Sequence, residues 1–350
     1  MNILVTGGAG YLGSVLVPKL LVRGHRVHVM DLGYFGMGHL RGMRPEVTLL
    51  REDLRRVIED AGFAASLLEN VDCVMHLAAM SNDPSAELRP ELTEETNYRG
   101  TVALARAAKA AGVRFLFSSS CSVYGDADGV LDEDGPVNPL TTYAVSKLKA
   151  EQELEQMADA QWRPVILRNG TLFGYSPRMR FDLVINIFSL YATLYNEIRV
   201  FGEGKQWRPF LHISDCARAF IFLAEKRNLK HHRYNVCREN LRVTDLAQIF
   251  SELKPGLKVS YTPTEDADVR DYAVSGARLR EEGYEPRIEV RVGAEEIMDA
   301  IVSGLVPDPE SVFYRNAKWL RELTNIGSLD HRHIVGLLES FQSVHSSRRH

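Results

Sequence analysis

The first thirteen residues, MNILVTGGAGYLG, restrict the possible folds more than any other stretch of the chain. Ile3, Leu4 and Val5 form an apolar run without alternation, the pattern of a parallel strand buried on both faces. Gly7, Gly8, Gly10 and Gly13 follow at once, and an apolar helical spacing then begins at Val15, Leu16, Leu20 and Leu21. A strand that turns through glycines into a helix lets backbone approach a pyrophosphate, whose charge then sits against N–H groups at the helix start. Gly8, Gly10 and Gly13 match the GxGxxG spacing in that setting. Asp31 closes a second apolar run, residues 27–30. A carboxylate there accepts hydrogen bonds from adenosine ribose hydroxyls and repels a 2′-phosphate, which points to NAD rather than NADP. Its bland alternative is a strand-end turn residue.

Length and composition narrow the class. With 350 residues, 45% hydrophobic and 25% charged, the chain can bury one large core or two modest ones. The 42 basic against 46 acidic side chains give a net charge of −4, which offers no general attraction to nucleic acid or to an anionic membrane. Cys73, Cys121, Cys216 and Cys237 are scattered without a CxxC, so neither a metal site nor a disulfide framework is expected. With no signal peptide before the first strand and no apolar run of membrane-spanning length, the expectation is a cytoplasmic protein.

Strands and helices alternate through the first half, predicting a doubly wound parallel α/β sheet. Strands are expected at 47–50, ending near Asp53, at 71–77, followed by Ala78 and Ala79, at 113–118 and at 165–167. Helices are expected at 93–111, with Asn97 inside it, and at 142–157. His76, within an apolar strand, reads as structural. The polar cluster from Ser118 to Ser122 falls at a strand's C-terminal end, where open parallel sheets bind ligands. Beyond residue 170, prolines and glycines divide the chain into shorter elements, with helices at 182–195, 215–227 and 243–253. The expected organisation is a dinucleotide-binding domain, 1–170, joined by a returning segment near 210–240. Residues 171–350 would form mainly a smaller α/β lobe over the strand ends, with a frayed tail from Ser340.

Tyr143 and Lys147 lie four apart on the helix expected at 142–157, so their side chains share a face. A free phenol, with a pKa of about 10, is a poor base at neutral pH, but a nearby ammonium and a positive nicotinamide ring favour phenolate. The phenolate could then take the proton from a hydroxyl as hydride leaves the same carbon, with Ser120 holding the oxygen.

TGGAGYLG, the SSSCSVYG of residues 118–125 and the YAVSK of residues 143–147 resemble the extended short-chain dehydrogenase/reductase family. Within it they are similar to the nucleotide-sugar epimerases and dehydratases, over roughly residues 1–320. The resemblance implies a Rossmann-like domain, a tightly held NAD and a C-terminal lobe for a nucleoside-diphosphate sugar. It places Ser120, Tyr143 and Lys147 on catalytic positions, Lys147 also reaching the nicotinamide ribose. Gly7, Gly10, Tyr11, Leu12 and Gly13 fall on the cofactor's pyrophosphate side. Asp53, Leu54, Leu77, Ala78, Ala79 and Asn97 fall along the rest of the cofactor. Arg208 and Arg270 match arginines for the substrate diphosphate, and Asn186 resembles a substrate-contacting asparagine, with Ser120 and Ser122 nearby. Arg178 and Arg180 stay open between site and surface.

Where a 4,6-dehydratase carries an acid and a base, Asp then Glu, this chain has Cys121 and Ser122. Serine is a poor base without activation, so the expectation is an epimerase acting at C4 of the sugar. Two alternatives stand beside it: a dehydratase or dehydrogenase of the same substrates using Cys121, and a catalytically silent NAD-binding regulator. A homodimer is expected through a face that includes the helices at 93–111 and 142–157.

Overall fold

The computed structural model describes residues 1–43, 45–263 and 270–326. Seven parallel strands form the main sheet: β1 (Asn2–Thr6), β2 (Arg26–Met30), β3 (Val47–Leu50), β4 (Cys73–His76), β5 (Arg114–Ser120), β6 (Val165–Asn169) and β7 (Arg233–Val236). Their order is 3-2-1-4-5-6-7, so the direction of winding reverses between β1 and β4 and opens a crevice at their C-terminal ends. Both faces are covered. Ile3, Val5, Cys73, Met75, Leu116 and Leu167 pack into one core, while Leu4, Val74, Phe115, Phe117 and Ile166 pack into the other. Side chains alternate between faces, so an unbroken apolar run is what a sheet sandwiched by helices demands.

Five helices frame the crevice. They are α1 (Gly13–Val22), α2, α3 (Thr142–Met157), α4 (Val184–Tyr195) and α5 (Asn316–Ile326). The second, α2, runs from Pro90–Thr93 through a π-helical segment, Glu94–Gly100, into Thr101–Ala110. The helix expected over 93–111 is therefore present, but underwound by a wider π-helical turn around Asn97. The strand expected to end at Ser118 continues to Ser120, because Ser118, Ser119 and Ser120 keep parallel register with Leu167, Arg168 and Asn169. Polarity had hidden that last stretch of ladder. The Thr141 hydroxyl accepts from the Ala144 N–H at 3.2 Å and starts α3.

β7 follows the helix Ile213–Glu225 and pairs with β6, so a segment from the second half completes the main sheet. Three small sheets draw mainly on later parts of the chain. Thr171–Phe173, Trp207–His212 and Glu239–Arg242 form one, Glu197–Phe201 pairs with Lys258–Thr262, and Asp126–Leu131 pairs with Asp271–Val274. The tail from Ser340 lies outside the described residues. Among those residues, no helix is long and apolar enough to cross a membrane.

Candidate active site

A cleft of about 1300 Å³ lies between the C-terminal ends of the sheet and the later elements, larger than the roughly 300–1,000 Å³ of a typical small-ligand pocket. Its floor is the first turn. Gly7, Gly10 and Gly13 line it, whereas Gly8 is turned away, and a Cβ there would come within 2.7 Å of the Val29 side chain. The glycines facing the cleft are thus spaced by threes, and Gly8 serves packing on β2. Gly7 takes φ +72°, and a Cβ on it would lie 2.6 Å from the Ala78 nitrogen, so the turn tolerates no side chain. Tyr11 and Leu12 complete the approach to α1.

Asp31 ties this turn to β2: its carboxylate accepts from the Ala9 N–H at 3.0 Å and the Gly33 N–H at 2.8 Å. Burial raises its pKa against the pull of those two donors. Asp53, Leu54, Leu77, Ala78 and Ala79 continue the wall. Asn97 stands behind it. Its amide oxygen accepts from the Met80 N–H at 2.7 Å, and its amide nitrogen donates to the Met80 carbonyl and the Ser146 hydroxyl, both at 3.1 Å. Ser146 in turn donates to the Tyr143 carbonyl at 2.7 Å. Asn97 therefore clamps the segment after β4 to α3. His76 is structural, held between Thr6 at 2.6 Å and Thr101 at 2.8 Å.

Ser120, Tyr143 and Lys147 meet at the centre of the cleft. The Ser120 side chain is near enough to the Tyr143 hydroxyl to favour its ionised form. The Lys147 ammonium donates to the Ser118 carbonyl at 2.9 Å and sits 5.8 Å from the centre of the Tyr143 ring. The sequence suggests a phenol pulled down by its lysine and a positive nicotinamide together. In the chain alone, burial and the Asp83 carboxylate push Tyr143 up to about 12, against Ser120, Arg180 and Arg270. Burial also pulls Lys147 down to about 7, with Glu151 opposing. The protein alone keeps Tyr143 protonated at neutral pH, as a donor.

Four expected contacts do not line the cleft: Asn97, held behind the wall by Met80 and Ser146, and Cys121, Ser122 and Asn186. Cys121 is 1% exposed, its thiol donates to the Arg168 carbonyl at 3.2 Å, and burial raises it well above its ordinary pKa. It turns away because it follows Ser120 at the end of a strand whose side chains alternate. Ser122 is buried behind it, with its N–H donating to the Ser120 hydroxyl at 3.2 Å. The Asn186 side chain is fully buried and joins the Gly174 N–H, the Tyr11 hydroxyl and the Arg180 carbonyl, at 3.2, 2.9 and 2.8 Å. Asp182, at the entry to α4, faces the cleft in its place.

Arg208 and Arg270 reach the cleft from the far side, as do Arg178 and Arg180. Arg270 pairs with Asp83 at 2.9 Å, and Arg180 with Asp182 at 2.9 Å. Arg178 lies over the Phe35 ring at 3.8 Å and donates to Asn316 at 2.5 Å, while its buried Nε has no hydrogen-bond partner. Burial lowers it to about 9.

A family described as the NAD dependent epimerase/dehydratase family matches residues 3–237. The chain belongs to that family. UDP-glucuronic acid decarboxylase 4 of Arabidopsis thaliana is 30% identical over 307 residues, 84% of this chain and 67% of the relative. The uncharacterized UDP-glucose epimerase YtcB of Bacillus subtilis is 32% identical over 251 residues, 67% of this chain and 76% of the relative. Among solved structures, MoeE5 in complex with UDP-glucose and NAD superposes with a TM-score of 0.74 at 30% identity, covering 87% of this chain and all of its own (100%). The UDP-glucose 4-epimerase of Thermotoga maritima, with UDP-glucose, gives 0.77 at 25% identity, with coverage of 87% and 100%.

The cofactor of this epimerase/dehydratase-family chain is NAD. The residues present fit that group: a side-chain-free turn for the pyrophosphate, Asp31 beside it for the ribose, and the unsatisfied Nε of buried Arg178 as a further donor. Sequence reasoning missed Asp83, Asp182, Tyr34 and α5. All line or border the cleft, but none sits in a run whose spacing advertises a ligand. The nearest signal was the charge density of SPRMRFD, residues 176–182.

Proposed function

We propose that this enzyme is an NAD-dependent nucleotide-sugar epimerase that oxidises a sugar hydroxyl, at C4, to a ketone and reduces it again from the other face. The observation that carries this reading is that Ser120, Tyr143 and Lys147 line one cleft together, with no second acid–base pair following Ser120 into it. Cys121 and Ser122, where an eliminating relative would hold its acid and base, face the core. NAD, when bound, accepts hydride from the sugar carbon and returns it. The chain's own part is proton movement and positioning. Tyr143 takes the proton of the sugar hydroxyl as phenolate, a form that the positive charge of a bound nicotinamide favours, and as phenol gives it back to the sugar oxygen; Ser120 holds that oxygen, and Lys147 supplies positive charge from behind.

In the same reading Gly7, Gly10, Tyr11, Leu12 and Gly13 hold the pyrophosphate, Asp31 the ribose, and Asp53, Leu54, Leu77, Ala78 and Ala79 the remaining cofactor surface. Arg208 and Arg270 bind the substrate diphosphate, as guanidinium forks suit paired phosphate oxygens. Residues 1–170, with the segment near 210–240, form the cofactor half, and the region from 171 onward mainly the substrate lobe. The four thiols are all free, which suits a reducing cytoplasm. A homodimer through the α2–α3 face completes the proposal; a monomeric mass in solution would remove it.

The test is a panel of nucleotide sugars with products read by mass. An epimer keeps the mass, loss of water marks elimination, and loss of two hydrogens with NADH release marks net oxidation. Either change of mass would overturn the epimerase assignment.

A further inference from the structure

The loop after β4 is held more tightly than its length requires. Both backbone polar groups of Met80 are gripped by Asn97. Asn82 takes φ +77°, a conformation rare for a residue with a side chain, and is fixed there by bonds to the Ser85 N–H at 3.1 Å and the Asp182 carboxylate at 2.7 Å. The residue this presents is Asp83. It accepts from the Thr141 hydroxyl at 2.5 Å, two residues before Tyr143, and pairs with Arg270 at 2.9 Å across the cleft.

We propose that Asp83 sets the substrate class, selecting a nucleotide sugar with an uncharged hexose ring over one bearing a uronic acid. The inference rests on the nucleotide-sugar reading above and narrows it. Besides Lys147, which its bond to the Ser118 carbonyl holds behind the ring, the cations whose charge reaches the Tyr143 hydroxyl are Arg180 and Arg270, and each already faces a carboxylate, Asp182 and Asp83. A sugar carboxylate entering beside Tyr143 would meet the Asp83 charge and would have to displace an existing partner to gain a cation. A sugar hydroxyl meets the opposite situation: a fixed carboxylate is an acceptor ready for its proton. When a substrate diphosphate draws on Arg270, Asp83 is left with Thr141 and gains room for that hydroxyl. The neighbouring charges are thus arranged by repulsion as much as by attraction.

The experiment uses the full chain with its NAD and measures binding by calorimetry of a hexose and the corresponding uronic acid on the same nucleotide. UDP-glucose and UDP-glucuronic acid are the first pair, followed by GDP and dTDP sugars. The hexose is expected to bind on the order of tenfold to a hundredfold tighter, the range set by like charges a few ångströms apart in a partly buried site. Asp83→Asn should narrow that ratio by about tenfold, mainly by strengthening uronic acid binding. A merely structural Asp83, bracing Thr141 and Arg270, would weaken both ligands alike and leave the ratio unchanged, which overturns the proposal. Equal or tighter uronic acid binding by the native protein overturns it without any variant, and leaves the enzymatic reading standing. Failure of every nucleotide sugar to bind overturns the enzymatic reading itself, and this inference with it.

Discussion

Tyr143 and Lys147 show how burial changes what two residues can do. Spacing alone puts them on one face, and that much was legible from YAVSK. The sense of their pKa shifts was not, because burial depth and the Asp83 carboxylate come from distant parts of the chain. Tyr143→Phe should cut kcat by roughly two to four orders of magnitude while NAD content stays unchanged, read by steady-state rates and cofactor absorbance. Lys147 makes a second prediction, in stability. Its amine is near 7 in the folded protein and about 10.4 unfolded, so between those values the unfolded chain holds more protons. Folding stability from this group therefore rises with pH across that window, by at most about 1.4 kcal/mol per unit, and is lowest below pH 7. Lys147→Met removes the effect. Its stability relative to the native chain should be most favourable near pH 6 and decline by pH 9, measured by urea unfolding. A difference independent of pH would mean that Lys147 keeps its ordinary pKa.

Between elements, the decisive contact is the buried pair of Glu151 on α3 and Arg168 on β6, at 2.7 Å with both side chains at most 2% exposed. Glu151 also accepts from the Ser119 hydroxyl on β5, so one carboxylate fastens three elements around the catalytic group. Glu151→Gln leaves the Arg168 charge buried without its counter-ion, a loss of about 3–5 kcal/mol. Removing both charges, with Glu151→Gln and Arg168→Met together, should cost less than the two single changes summed, measured in a urea-unfolding cycle. Additive costs would show that the pair is not coupled. The strands and α3 were readable because apolar runs and a Thr141 cap mark them locally. The π-helical turn around Asn97 was not, since its cause is the grip of that side chain on Met80, outside the helix. That Gly8 faces Val29 and not the cleft has the same kind of cause: it depends on β2, and the GxGxxG spacing does not show it.

Across the whole molecule, α5 closes a distance that no local pattern in the chain reveals. Trp319 donates to the Tyr34 carbonyl at 2.7 Å although 285 residues separate them. Leu320 and Leu323 are buried with Met80 and Leu92 of the cofactor half, and Asn316 donates to Ser81 at 3.2 Å while accepting from Arg178. The last described helix thus packs on the dinucleotide side of the cleft, not only on the lobe from which it emerges. In the proposed binding mode NAD lies on the first turn beneath this helix, so its release rate should follow the stability of this apolar contact. Truncating Leu320 and Leu323 to Ala each removes roughly 2–5 kcal/mol of packing, and the effect falls on the docked helix before it reaches the sheet. The double variant should retain its fold but lose its cofactor at least tenfold faster on dilution, followed by the fluorescence of NADH loaded in place of NAD. Tyr143→Phe, which leaves α5 intact, should release it at the native rate. Equal release from the α5 variant and the native chain would show that the turn at Gly7 to Gly13 holds the cofactor without help from the chain's far end.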